Sequence, residues 1–133
     1  TFMEEVVRLE GPVQGLLREL SEDVEMHGVH MPAGSIVHLR FGAANRDERH
    51  YADSTDEIDL ERPKPKTHLG FGFGNHFCMG APLARREMYW GFKELVDRVE
   101  EMWFIEGEND LSYQKNYFLR GLNHLNIGFK AKG

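Results

Sequence analysis

Cysteine is nearly missing from this chain: Cys78 is the only one in 133 residues. No internal disulfide can staple the fold, so the sequence reads as one for a reducing compartment, or one with a thiol kept free for chemistry. Long apolar runs are missing too. Nothing approaches the roughly 18 residues that a membrane-spanning helix needs, and the amino end, TFMEEVVRLE, lacks the basic start and apolar middle of a secretory signal. These absences point away from membrane and export and toward the cytoplasm. An excess of positive charge is also lacking. The formal net charge is −6, which argues against nucleic acid as a partner, because neutralising phosphates takes clustered Lys and Arg. Internal repeats and low-complexity segments are absent. What remains, 41% hydrophobic and 29% charged residues, is an ordinary globular mix of a size for one core.

The charge is unevenly placed. Residues 1–62 carry 14 acids against 6 bases, whereas residues 63–98, which surround Cys78, carry 3 acids against 6 bases. An anionic ligand or partner would find its complement in that middle segment. Apolar residues at Phe2, Val6 and Leu9 predict an amino-terminal helix with one buried stripe, ended by Gly11-Pro12. The run VEMHGVHMPAGSIVHLRF, residues 24–41, alternates short β-branched and aromatic pieces with His-Gly and Pro-Ala-Gly, the pattern of small hairpins. Residues 42–69 are polar and mostly irregular, with a helical turn or two near Ala43–Arg49. A stretch this long without regular structure is usually functional or disordered. The strongest helix is predicted over Pro82–Met102, where Ala84, Met88, Phe92, Leu95 and Val99 recur on one face. The runs WFIEG, YFLRGL and LNIGFKAKG then read as terminal strands.

Between the meander and the long helix lies GFGFGNHFCMG, residues 70–80, with four glycines, one histidine and Cys78. Glycine at 70, 72, 74 and 80 implies positive φ or very close approach of the backbone to something flat or bulky. The spacing fits neither a dinucleotide fingerprint nor a P-loop. A cysteine beside the free N–H groups of a helix start is favoured as thiolate, which is both nucleophile and soft metal ligand. A closed zinc site would need further Cys or His ligands that the segment does not hold. Haem iron needs only one axial bond from the protein, since the macrocycle supplies four nitrogens.

The run Phe71-x-x-Gly74-x-x-x-Cys78-x-Gly80 resembles the haem-ligand loop of the cytochrome P-450 family, and Leu83-Ala84-Arg85-Arg86-Glu87 resembles the start of that family's next helix. Glu5-Val6-Val7-Arg8 is similar to the family's E-x-x-R motif, and Arg62 in IDLERP to the arginine that completes its Glu-Arg-Arg triad. The resemblance runs through DVEMHGVHMPAG, AANRDER and HLGFG, and is strongest to the soluble bacterial branch.

The resemblance implies an α+β, mainly helical fold: the carboxyl-terminal part of the cytochrome P-450 fold, with residues 1–133 as one haem-binding, proximal-side portion of a larger domain. The distal portion would then lie outside this chain. It implies haem b (iron protoporphyrin IX) as cofactor and Cys78 as proximal iron ligand and catalytic residue, its thiolate pushing electron density onto the metal. His76 and Arg18 match donors to the haem propionates. Phe71 matches an aromatic that packs beside the thiolate, while Gly72, Gly74 and Gly80 leave room for the ring and for N–H donation to sulfur. Ala84, Val13–Leu17 and Phe41 would line the haem. Glu5, Arg8 and Arg62 form the structural triad. The implied activity is haem-thiolate monooxygenation of a small organic substrate with O2. An acidic ferredoxin with its reductase would supply electrons by docking on the basic segment holding Lys64, Lys66, Arg85 and Arg86. Two other readings of the same residues stand beside it: a haem-binding module without oxygen activation, and a thiol enzyme with Cys78 as nucleophile.

Overall fold

The computed structural model describes Thr1–Gly133, apart from the side chain of Asp53. Four α-helices are present: α1 (Phe2–Glu10), α2 (Phe41–Ala44), α3 (Glu48–Tyr51) and α4 (Ala81–Arg98). Eight short strands accompany them: β1 (Leu16–Glu19), β2 (Val24–Met26), β3 (Val29–Met31), β4 (Ile36–Leu39), β5 (Val99–Phe104), β6 (Asp110–Tyr113), β7 (Leu122–His124) and β8 (Ile127–Ala131). The fold is α+β, with helix and strand in similar shares and the helical weight in α1 and α4. No helix among the described residues is long and apolar enough to cross a membrane.

Strands pair only as antiparallel twos: β1 with β4, β2 with β3, β5 with β8 and β6 with β7. The β2–β3 hairpin sits inside the β1–β4 ladder. Its two-residue turn, His27-Gly28, has φ of 50° and 78°, the double positive φ whose twist matches that of paired strands. The β1 strand, LLRE, is one that composition does not announce; it exists because Leu16–Glu19 finds Leu39–Ile36 about twenty residues later. Within residues 42–69 the expected helical turns are α2 and α3, followed by 3-10 turns at Ala52–Ser54 and Pro65–Thr67. Asp47 caps α3 by accepting from the Arg49 N–H at 2.9 Å.

Three expectations are corrected. The long helix stops at Arg98 rather than Met102, because Val99 takes an extended conformation (φ −109°, ψ 126°) and pairs with Ala131 while the Lys132 N–H donates to the Arg98 carbonyl. A strand arriving from the far terminus takes over backbone that helical periodicity had claimed. The YFLRGL run is mostly a turn: Asn116 Oδ1 accepts the Phe118 and Leu119 N–H groups, both at 2.9 Å, and the strand of that region is Asp110–Tyr113. The α1 stripe also differs. Leu9 is buried, but Phe2 is exposed and packs edge-on against Phe92, while the other buried positions are Glu4, Glu5, Val7 and Arg8.

The centre of the chain is therefore polar. The largest fully buried side chains are Arg8, Glu5 and Asn45. The apolar face of α4 falls on the expected positions Ala84, Met88, Phe92 and Leu95, with Val99 following in β5, yet each is only half-buried.

Candidate functional site: the Cys78 loop and its cleft

Helix α1 supplies the anchor of the site. Arg8 Nε and Nη2 donate to the two Glu5 carboxylate oxygens at 2.9 Å. Its remaining hydrogens go to the carbonyls of Asn45, Ser54, Thr55 and Glu57 at 2.7–3.1 Å. Arg62 Nε donates to Glu5 Oε1 at 2.7 Å, and its Nη2 reaches the Ser54 hydroxyl and carbonyl. The Asp59 N–H completes the shell of Glu5 at 3.1 Å. Burial alone would raise the Glu5 carboxyl, but these hydrogen bonds and the Arg8 charge outweigh it and bring its pKa down to about 2. The Tyr51 ring lies under both guanidiniums, 4.8 Å from Arg8 and 5.0 Å from Arg62. Asn45 links this knot onward: its Nδ2 donates to the Arg8 carbonyl and its Oδ1 accepts the Leu69 N–H at 2.7 Å, just before the cysteine loop. Glu5, Arg8 and Arg62 thus meet as expected. Tyr51 and Asn45 are partners that sequence reasoning missed, since neither carries a spacing signal.

The loop itself is shaped by glycine in three places. Gly72 and Gly74 have φ of 75° and 66°, and a Cβ on Gly70 would stand 2.6 Å from Val7 Cγ1. Gly80 departs from that expectation. Its φ is −78°, and a Cβ there would meet Cys78 Sγ at an ordinary 3.7 Å. The Cys78 N–H donates to the Phe71 carbonyl at 2.8 Å, closing the loop. α4 begins three residues later, with Pro82 in its first turn.

Cys78 is exposed and lies on the wall of a cleft of about 380 Å³. Phe71, Gly72, His76 and Ala84 line the same cleft, together with Val13, Leu16 and Phe41. Val7, Pro12, Gly70 and Met88 complete it. Arg18 and Gly80 are not among the lining residues, nor are Gln14, Gly15 and Leu17. Arg18 stands half-buried on β1 with its Nη1 on the Leu17 carbonyl at 2.8 Å. Among the described residues, His76 and Cys78 are the only titratable groups on the wall.

That donor set suits a flat, carbon-rich ring held by a single soft ligand. Aliphatic and aromatic side chains can cover its faces, and the bare Gly72 backbone adds no side chain to the wall it shares with Cys78. Among the described residues no histidine hydrogen-bonds Cys78, which leaves the thiol without the base a nucleophile would use.

A second polar cluster backs the loop. Glu4 Oε1 and Oε2 accept from Arg85 Nε and Nη2 at 2.7 and 3.0 Å, and Glu4 Oε2 lies 3.0 Å from His68 Nε2. Burial pushes the Glu4 carboxyl up, but the Arg85 and His68 contacts prevail and lower it. Arg85 is therefore not a free docking charge, as the sequence had suggested. Lys64, Lys66 and Arg86 remain exposed and make no ion pair among the described residues.

Residues 1–102 match the family "Cytochrome P450", and the chain belongs to it. It is 41% identical over 128 residues to the "Methyl-branched lipid omega-hydroxylase" of Mycobacterium tuberculosis, covering 96% of this chain and 29% of that protein. It is 35% identical to the "Polyketide biosynthesis cytochrome P450 PksS" of Bacillus subtilis, covering 96% of this chain and 31% of the relative. Among solved structures, substrate-free Mycobacterium marinum cytochrome P450 CYP150A6 superposes with a TM-score of 0.92 at 34% identity, over 98% of this chain and 34% of that one. The chain thus spans about a third of the length of the relatives it matches. Its fold is the carboxyl-terminal part of the cytochrome P-450 fold, and the family's cofactor is haem.

Proposed function

We propose that the chain contributes the thiolate side of a haem b monooxygenase site. The observation that carries this reading is a lone, exposed cysteine on the wall of a mostly apolar cleft, which it shares with His76 and with Gly72, a glycine of positive φ. Cys78 would hold the iron. Phe71, Gly72, Ala84, Val13, Leu16 and Phe41 would bind the ring and exclude water, and His76 would donate to a propionate. Arg18 would serve the other propionate from β1 by exchanging its Leu17 carbonyl contact. When bound, haem would supply the activation of O2, one oxygen atom entering a small organic substrate and the other leaving as water. A relative named for methyl-branched lipids makes an apolar substrate the natural class.

Electrons would arrive from an acidic ferredoxin, itself served by a reductase, docking on Lys64, Lys66 and Arg86. Arg86→Glu should slow reduction and weaken its salt dependence; an unchanged rate at low ionic strength would count against docking there.

The central test is the absorption spectrum of the reduced, haem-loaded protein under carbon monoxide. A strongly red-shifted Soret band that disappears in Cys78→Ser supports thiolate ligation. The band without turnover would leave a haem-binding module. A colourless protein that reacts with thiol-directed substrates would replace the reading with a nucleophile.

A further inference from the structure

Glu4 and Glu5 are neighbours on α1, and a helix turns about 100° per residue, so the two carboxylates face different parts of the chain. Glu5 is spent on the buried knot with Arg8 and Arg62. Glu4, 7% exposed, faces the cysteine loop from behind. It holds Arg85 on α4 through two hydrogen bonds and His68 through one.

Both partners act on the loop. His68 Nδ1 accepts the Gly70 N–H at 3.0 Å, which puts the ring proton on Nε2, toward Glu4. That bond fixes the bend at Gly70, where the lack of a Cβ leaves room for Val7. The Arg85 guanidinium lies 4.7 Å from the centre of the Phe71 ring, and the His68 ring is 5.9 Å from the same ring. Phe71 therefore touches both partners of Glu4. Its ring forms part of the cleft wall, and its carbonyl accepts the Cys78 N–H. A continuous chain of contacts runs from Glu4 through Arg85 to Phe71 and on to the backbone of Cys78.

We propose that Glu4, His68 and Arg85 form a positioning cluster that sets the orientation of Cys78 through Phe71. The proposal rests on the haem-thiolate reading. Arginine is needed at 85 because one planar fork pairs with both Glu4 oxygens while its face stacks on Phe71; a lysine could keep the charge but not the stack. None of the three residues lines the cleft, so they act through Phe71 and the loop.

The test uses the protein with and without haem, as wild type, Glu4→Gln, Arg85→Lys and Arg98→Ala. The last is a control on the same helix that loses only its exposed pair with Glu94. In Arg85→Lys the unfolding midpoint should stay near wild type. The Gly70 and Cys78 amides should exchange about tenfold faster, with those inside α4 unchanged. The haem reduction potential should shift, and part of the red-shifted carbon monoxide band should be lost. Glu4→Gln should do the same more strongly; if it fails to fold, Arg85→Lys decides alone. Folded Arg85→Lys with unaltered Cys78 exchange, band and potential would overturn the proposal, as would faster exchange spread evenly along α4. A wild type without the red-shifted band defeats the haem reading instead, and the exchange arm in the unloaded protein then still decides whether the cluster holds the loop.

Discussion

Around Arg8 every donor is spent inside the chain, whereas around Cys78 the walls are mostly carbon and the thiol faces outward. The two regions lie at opposite ends of one chain of contacts, from α1 through Asn45 and Leu69 to the loop. At the Arg8 end, charge is buried only because each oxygen and N–H has a partner, and no buried side-chain nitrogen or oxygen among the described residues lacks one. At the Cys78 end, apolar surface is left open. A closed polar knot has no capacity left to bind anything. An open apolar cleft with one soft donor has that capacity, and the knot keeps the backbone beneath it in place.

That contrast can be broken most forcefully at Arg8. Arg8→Ala leaves Glu5 buried without its main partner, and urea unfolding should show a loss of about 3–5 kcal/mol, or no folded state. Acid should attack the same place. The Glu5 carboxyl lies at about 2 in the folded chain against its ordinary 4.5, so its contribution is complete above about pH 4.5 and lost as pH falls toward 2. The drop in midpoint over that window, followed by circular dichroism, should flatten in Glu5→Gln, which begins from a lower plateau. A smaller loss is expected in the loop: Gly70→Ala forces a Cβ against Val7 and should cost about 1–3 kcal/mol, whereas Gly74→Ala, with nothing within 4 Å of its Cβ, should cost only the strain of positive φ, about 1–2 kcal/mol. Cys78→Ser sharpens the comparison from the other side: unfolding of the unloaded chain should move by less than about 0.5 kcal/mol, since the side chain is exposed. A large change there would mean that the thiol is part of the fold.

The glycine-rich segment around Cys78 was legible because its chemistry is local: φ values that only glycine takes easily, and a thiol before a helix start. The Glu5–Arg8 pair and Arg62 were legible only through the family resemblance, since a Glu and an Arg three apart on one helix are otherwise an ordinary surface pair; the structure brings Arg62 within 2.7 Å of Glu5. Asn45, His68 and Arg85 fall in stretches that carry the resemblance, but their partnerships, like those of Tyr51 and Glu4, left no mark in the sequence, because each is made with a residue 24 to 81 positions away. Arg85 is the instructive case. By sequence it is one more base in a basic segment; in the fold it is consumed by Glu4.

Residue type and near-neighbour spacing alone determined the helix at α4's start, the hairpin turn at His27-Gly28, the open loop and its single thiol, since each depends on backbone freedom or on side chains within a turn or two. Tertiary structure decided where α4 ends, that LLRE is a strand, which face of α1 is buried, and which arginines are free. Those outcomes turn on partners distant in sequence, and a buried charge or an unpaired strand has a stable place only once its partner has arrived.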